Sequence, residues 1–194
     1  MWPAAREALL ADIVDIVRAE ILSLAEAGAN FIQLDEPGFA NPPDGVDAEA
    51  GADLINAAID GRREVTAVHV CFGNNASRPY VRRDMGRLFP GIGRLDCRML
   101  LLEFANREMA DLECLADLSK RYDIAAGVID VKSFHEETAE EVAARTRRVL
   151  QHVPAERLSV TADCGFSALP RWLARTKLQA MVAGARIVRA ELGR

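Results

Sequence analysis

Lysine is scarce in this 194-residue sequence: of 24 basic residues, only Lys120, Lys132 and Lys177 are not arginine. Aromatic residues are few as well, at 6%. The basic side chains are scattered among acids and the formal net charge is −5, so a general binder of nucleic acid or of anionic membranes is excluded on electrostatic grounds. Long apolar runs are missing. The stretch 124–131 is among the longest, far short of the roughly 18 residues a spanning helix needs. The start, Met1-Trp2-Pro3-Ala4-Ala5-Arg6-Glu7, has neither the basic region nor the apolar core of a secretory signal. The expectation is a cytoplasmic protein whose four cysteines, Cys71, Cys97, Cys114 and Cys164, stay reduced. No G-x-G-x-x-G or Walker sequence follows a predicted strand; Asp35-Glu36-Pro37-Gly38 stands where the first would be.

What is present describes one globular domain over 1–194, with 50% hydrophobic and 27% charged residues. Helical spacing of Ile13, Ile16, Val17, Ile21 and Leu24 predicts a first helix that Gly28 ends. Strands are predicted at 31–35, 65–71, 99–104, 124–131 and 158–162. Helices are predicted at 48–59, 109–119, 137–152 and 169–192, with a helical turn near 81–88 in an Arg-rich loop. Strand and helix in alternation imply right-handed βαβ crossovers and a parallel sheet, either doubly wound or part of a (β/α) barrel. Ionisable residues gather at the C-terminal ends of several strands, where barrel enzymes place their chemistry. The fold class is therefore read as α/β of the TIM-barrel type. Its five βα units follow an N-terminal helix, against eight in a closed barrel.

Four of those strand-end residues form a candidate metal site. His69 and Cys71 are two apart on one strand and so face the same way. Glu103 ends the third strand and Cys164 follows the fifth. A set of imidazole, carboxylate and two thiolates suits Zn²⁺. Spacing alone leaves the packed, metal-free alternative equally open, because a cysteine in an apolar strand is commonly core.

Several stretches carry a resemblance. They are Phe31-Ile32-Gln33-Leu34-Asp35-Glu36-Pro37, His69-Val70-Cys71-Phe72-Gly73-Asn74, Leu102-Glu103-Phe104-Ala105, Gly127-Val128-Ile129-Asp130-Val131-Lys132 and Asp163-Cys164-Gly165-Phe166. In this order the chain resembles the C-terminal catalytic barrel of the cobalamin-independent methionine synthase family, over its last five βα units. The resemblance implies a zinc-dependent S-methyltransferase with His69, Cys71, Glu103 and Cys164 as ligands, Glu103 being the most exchangeable. It implies Asp35 on the amino group of a homocysteine-like thiol, with Glu36 and Asn74 on the same substrate side. Methyl-folate is the implied donor. Lys132 stands where the family has a proton-donating histidine, and Asn41 where it has an acidic residue that helps hold folate. Those departures favour as an alternative a thiol alkyltransferase with another thiol or donor, of the epoxide-opening type.

Lys132 and Asp130 are the catalytic candidates. Asp130 is expected either to pair with Lys132 or to orient His69. A five-strand sector leaves two edges and an inner face open, so association with a second copy or with a chain supplying further strands is expected. An inactive half-barrel subunit is the non-enzymatic alternative. Cys97 and Cys114 are read as structural, Trp2 and Trp172 as packing residues. Arg78, Arg82, Arg83 and Arg87 are read as a solvated face or a grip for an anionic donor.

Overall fold

The computed structural model describes residues 2–41, 47–79 and 81–193. Helix α1 (Trp2–Glu26) is followed by β1 (Ile32–Asp35), α2 (Ala48–Ile59), β2 (Thr66–Val70), the one-turn α3 (Phe89–Ile92) and β3 (Met99–Leu102). Then come another one-turn helix α4 (Leu115–Leu118), β4 (Asp123–Ile129), α5 (Ala139–Val149), β5 (Leu158–Ala162) and α6 (Arg171–Glu191). The five strands are all parallel and lie in the order β1-β2-β3-β4-β5. A doubly wound sheet reverses its strand order at a switch point. This one does not, so the architecture is a sector of a (β/α) barrel.

Alternation along the strands sorts the side chains onto two faces. Val68, Val70, Leu100, Leu102, Ile124, Ala126 and Val128 join the main core under the helices. Ala67, Leu101 and Ala125, with Met99, form a small separate cluster on the other face. Central strands β2 and β4 are buried almost throughout, as strands covered on both sides are. The edge strands β1 and β5 are largely half-exposed or exposed. Local chemistry sets the helix starts. Asp47 accepts from Ala50 N at 2.8 Å to cap α2, and Thr138 with Glu141 forms a reciprocal capping box on α5.

Three sequence expectations are corrected. The helix over 109–119 is broken, because Met109 and Asp111 take left-handed backbone angles; a 3₁₀ turn, Leu112–Cys114, leads into α4. The helical turn near 81–88 falls instead at α3, where Gly91 lies so close to α2 that a Cβ would sit 2.2 Å from Ala48 O. Trp172 is 57% exposed on α6 and is not a packing residue. On α1 only part of the apolar spacing is used: Ile21 is buried, while Ile13 and Ile16 are exposed. No helix among the described residues is long and apolar enough to cross a membrane. Asn41 is exposed, and Pro42 and Pro43 after it lie outside the described residues.

Candidate metal centre at the strand ends

His69 belongs to β2 and Cys71 follows it directly, both buried; Cys164 lies just past β5 and is half-buried. Strand alternation turns His69 and Cys71 to the inner face, and the sheet's curvature brings β5 round to them. One donor atom from each of the three lies within 4.8 Å of the others. The two sulfurs are 3.7 Å apart. Hydrogen bonds from Cys71 and from His69 hold the Cys164 thiol well below its ordinary pKa, and the same contact with burial pushes Cys71 up. A thiolate already paired with a thiol and an imidazole is a soft donor set. His69 Nε2 is buried without a hydrogen-bond partner among the described residues. An orphaned imidazole nitrogen beside two sulfurs is the arrangement a divalent metal satisfies, so these residues fit one.

Glu103 is near this trio but does not join it. It lies two residues beyond Leu101, the partner of His69 in the β2–β3 register, and is fully buried. Its Oε2 accepts from Lys132 Nζ at 2.8 Å and from Phe72 N at 3.4 Å, while Oε1 has no partner among the described residues. Of the two roles open to Asp130, the ion pair with Lys132 is thus not formed. The Lys132 ammonium goes to Glu103, and Asp130 accepts from the Lys132 backbone N–H at 2.7 Å and from Asn106 Nδ2 at 3.1 Å. No bond joins Asp130 to His69 among the described hydrogen bonds, so Asp130 shapes the loop after β4 rather than the imidazole.

Asp35, exposed at the end of β1, accepts from Gln33 Nε2 at 2.6 Å. Glu36 donates its backbone N–H to His69 O at 3.1 Å, and burial raises its carboxyl against the pull of the Gly38 and Phe39 amides. Asn74 donates to Gly165 O at 2.9 Å and accepts from Ser77 N, tying the loop after β2 to the one after β5. Of the Arg-rich stretch, Arg83 is bonded to Asn106.

Sequence reasoning missed the residues that brace this rim. Asp163, fully buried, accepts from the backbone N–H groups of Phe104, Ala105 and Asn106 at 2.9, 2.9 and 2.6 Å. Burial, with the Glu103 charge, raises its pKa to about 7 against those three donors. Lys177 on α6 is also fully buried; it pairs with Glu137 at 2.7 Å and donates to the carbonyls of Asp130 and His135. One signal was available. Lys177 falls four residues after Leu173 on the buried stripe of α6, a lone lysine on an apolar face.

A barrel sector with a histidine and two cysteines at the C-terminal strand ends has a candidate metal centre at the end of the barrel where enzymes of this fold place their sites. The family model described as "Cobalamin-independent synthase, Catalytic domain" matches residues 2–187. The chain belongs to that family. A methionine synthase of Thermococcus kodakarensis is 36% identical over 98% of this chain and 53% of its own length. A 2-hydroxypropyl-CoM lyase of Xanthobacter autotrophicus is 35% identical over 94% of this chain and 55% of its own. Among solved structures, a B12-independent methionine synthase from Shewanella sp. W3-18-1, in complex with selenomethionine, superposes with a TM-score of 0.80. It is 32% identical, over 93% of this chain and 54% of that one. The chain therefore spans about half the length of the relatives it matches.

Proposed function

We propose that this chain carries a zinc-dependent centre for S-methyl transfer to a homocysteine-like thiol, the activity named for its methionine synthase relatives. The observation that carries the reading is the His69, Cys71 and Cys164 trio with its orphaned Nε2. When bound there, zinc lowers the pKa of an incoming thiol and leaves its sulfur nucleophilic. In the net change an S–C bond forms, the donor's bond to the methyl carbon breaks and its electron pair stays with the donor. The thiol proton is released. In this reading Asp35, at the end of β1, takes the substrate amino group, Glu36 and Asn74 serve the same substrate, and methyl-folate is the donor. A second reading, alkyl transfer with another thiol or donor, is favoured by the lyase relative and by lysine at position 132. The free thiols suit a reducing compartment, the cytoplasm. A second copy, or a chain supplying further strands, would cover the open sides of β1 and β5.

The test is elemental analysis of the purified protein. About one zinc per chain is expected, lost in Cys164→Ser and kept in Cys97→Ser, because only the first removes a ligand. Equal metal loss in both variants refutes the assignment.

A further inference from the structure

We propose that the exposed faces of α1 and α6 are the two halves of one docking surface whose occupant is a second copy of this chain. In this assembly α6 of one protomer packs on α1 of its partner, twice, about a two-fold axis. Of the two kinds of partner considered above this takes the second copy, and it does not depend on the metal reading.

The two helices stand at opposite ends of the sheet. On the β1 side α1 packs on α2, and on the β5 side α6 packs on α5. Each keeps another face bare. On α1, Leu9, Ile13, Ile16, Glu20 and Leu24 share one exposed stripe, with Ile16 69% exposed. On α6, Arg171, Arg175, Leu178, Val182 and Arg186 fall at the same intervals and are exposed as well. Single exposed apolar residues are ordinary. A row of them along a helix is a patch of the kind that marks a contact.

Charge selects the occupant. Glu7, Asp12, Glu20 and Glu26 on α1 are exposed and enter no ion pair among the described residues. The same holds for Arg171, Arg175, Arg186 and Arg189 on α6. One face is therefore apolar with acids and the other apolar with arginines, and the sheet lies between them. A molecule that carries both halves of a complementary pair at opposite ends is complementary to itself. A two-fold axis makes the contact twice and leaves neither half over. Set along the barrel axis, it also lays the outer edge of β5 beside that of β1 in the other copy, with all strands still parallel. Both half-exposed edges are then covered.

The experiment measures the mass of the full chain in solution by sedimentation velocity. The native protein is expected at twice the chain mass of 21.2 kDa. Asp12→Arg/Glu20→Arg makes α1 repel α6, and Arg175→Glu/Arg186→Glu does so from the other side. Like charges facing across an interface oppose it, so each variant alone is expected to weaken the dimer by about tenfold or more. Mixed in equal amounts, the two variants meet with opposite charges at both contacts and are expected to dimerise as the native protein does. Ile16→Ser, which alters no charge, is expected to weaken the dimer too. Circular dichroism reads the fold of each variant; should a charge variant unfold, the native mass and Ile16→Ser decide. A monomeric native protein refutes the proposal. So does a dimer that all the variants keep, or one that the mixture of folded variants fails to restore. Zinc content is read on the same samples: a dimer without zinc refutes the metal centre alone, and a zinc-bearing monomer refutes the second copy alone.

Discussion

Replacing Gly127 with alanine puts a methyl group where the Asp163 carboxylate already sits. A Cβ built on Gly127 would lie 2.1 Å from Asp163 Oδ1, 3.0 Å from Leu102 O and 3.1 Å from Asp163 Cα. Two of those three atoms belong to backbone in the centre of a paired sheet, so only the carboxylate can yield. It cannot yield without giving up bonds, since it is fully buried and takes N–H groups from three successive residues after β3. Overpacking a core costs about 1–3 kcal/mol. Weakening one hydrogen bond to a charged group costs about 1.5–3 kcal/mol more. Together these give about 2.5–6 kcal/mol, and with a urea slope of about 2 kcal/mol per molar the midpoint should fall by about 1.3–3 M. Gly165→Ala is the control. It neighbours Cys164, but its added Cβ meets nothing within 4 Å, and its expected effect is within about 0.5 kcal/mol. Urea unfolding followed by circular dichroism measures both, and zinc content should fall with Gly127→Ala because the segment Asp163 holds begins right after Glu103. Equal midpoints for the two variants would show that the Asp163 staple does not hold the rim.

Burial pushes the thiols of Cys97 and Cys114 up to about 12. Both are therefore expected to resist iodoacetamide at pH 8 in the folded protein and to react once it is denatured, as read by mass spectrometry. The Glu141 carboxyl is held at about 2 by the Thr138 backbone N–H, with His135 helping. A depressed carboxylate stabilises above its unfolded pKa, so its contribution is complete above about pH 5 and is lost as pH falls toward 2. Glu141 is largely solvent-exposed, which limits that contribution to under about 1 kcal/mol. Thr138→Ala should cost about 1 kcal/mol at pH 7, and Glu141→Gln should flatten the acid limb of a stability–pH curve. Lys177→Met removes one of two cations on the fully buried Glu137 carboxylate, leaving Arg145 at 3.3 Å and the Asp130 N–H at 2.9 Å, and is expected to cost about 1.5–3 kcal/mol, with Lys177→Met/Glu137→Gln recovering part of it in thermal unfolding.

Local chemistry alone determines a good part of this protein. Helix 48–59 and strand 158–162 fall where the apolar spacing and flanking turn residues place them, because those signals act within a few residues. Period-two alternation puts His69 and Cys71 on one face whatever the rest of the chain does. Strand–helix rhythm made the sheet parallel but left its order open between two architectures. The sequential order is a long-range outcome of pairing, and it decides that Cys164 comes round to the His69–Cys71 pair.

Other features are tertiary throughout. Asp130 and Lys132 point the same way along the chain, and the sequence left Asp130 open between pairing with Lys132 and orienting His69. In the fold a stronger partner, the dry Glu103 carboxylate 29 residues away, takes the ammonium. The Asp163 staple joins residues 57 to 59 apart and depends on Gly127 of the intervening strand having no side chain. Met109 and Asp111 break a segment that its spacing makes helical, because their left-handed backbone belongs to the packed loop and not to their own propensity. Ligand types and their facing were thus a property of sequence; which charges meet, and where one carboxylate is held, was settled by strands brought together in space.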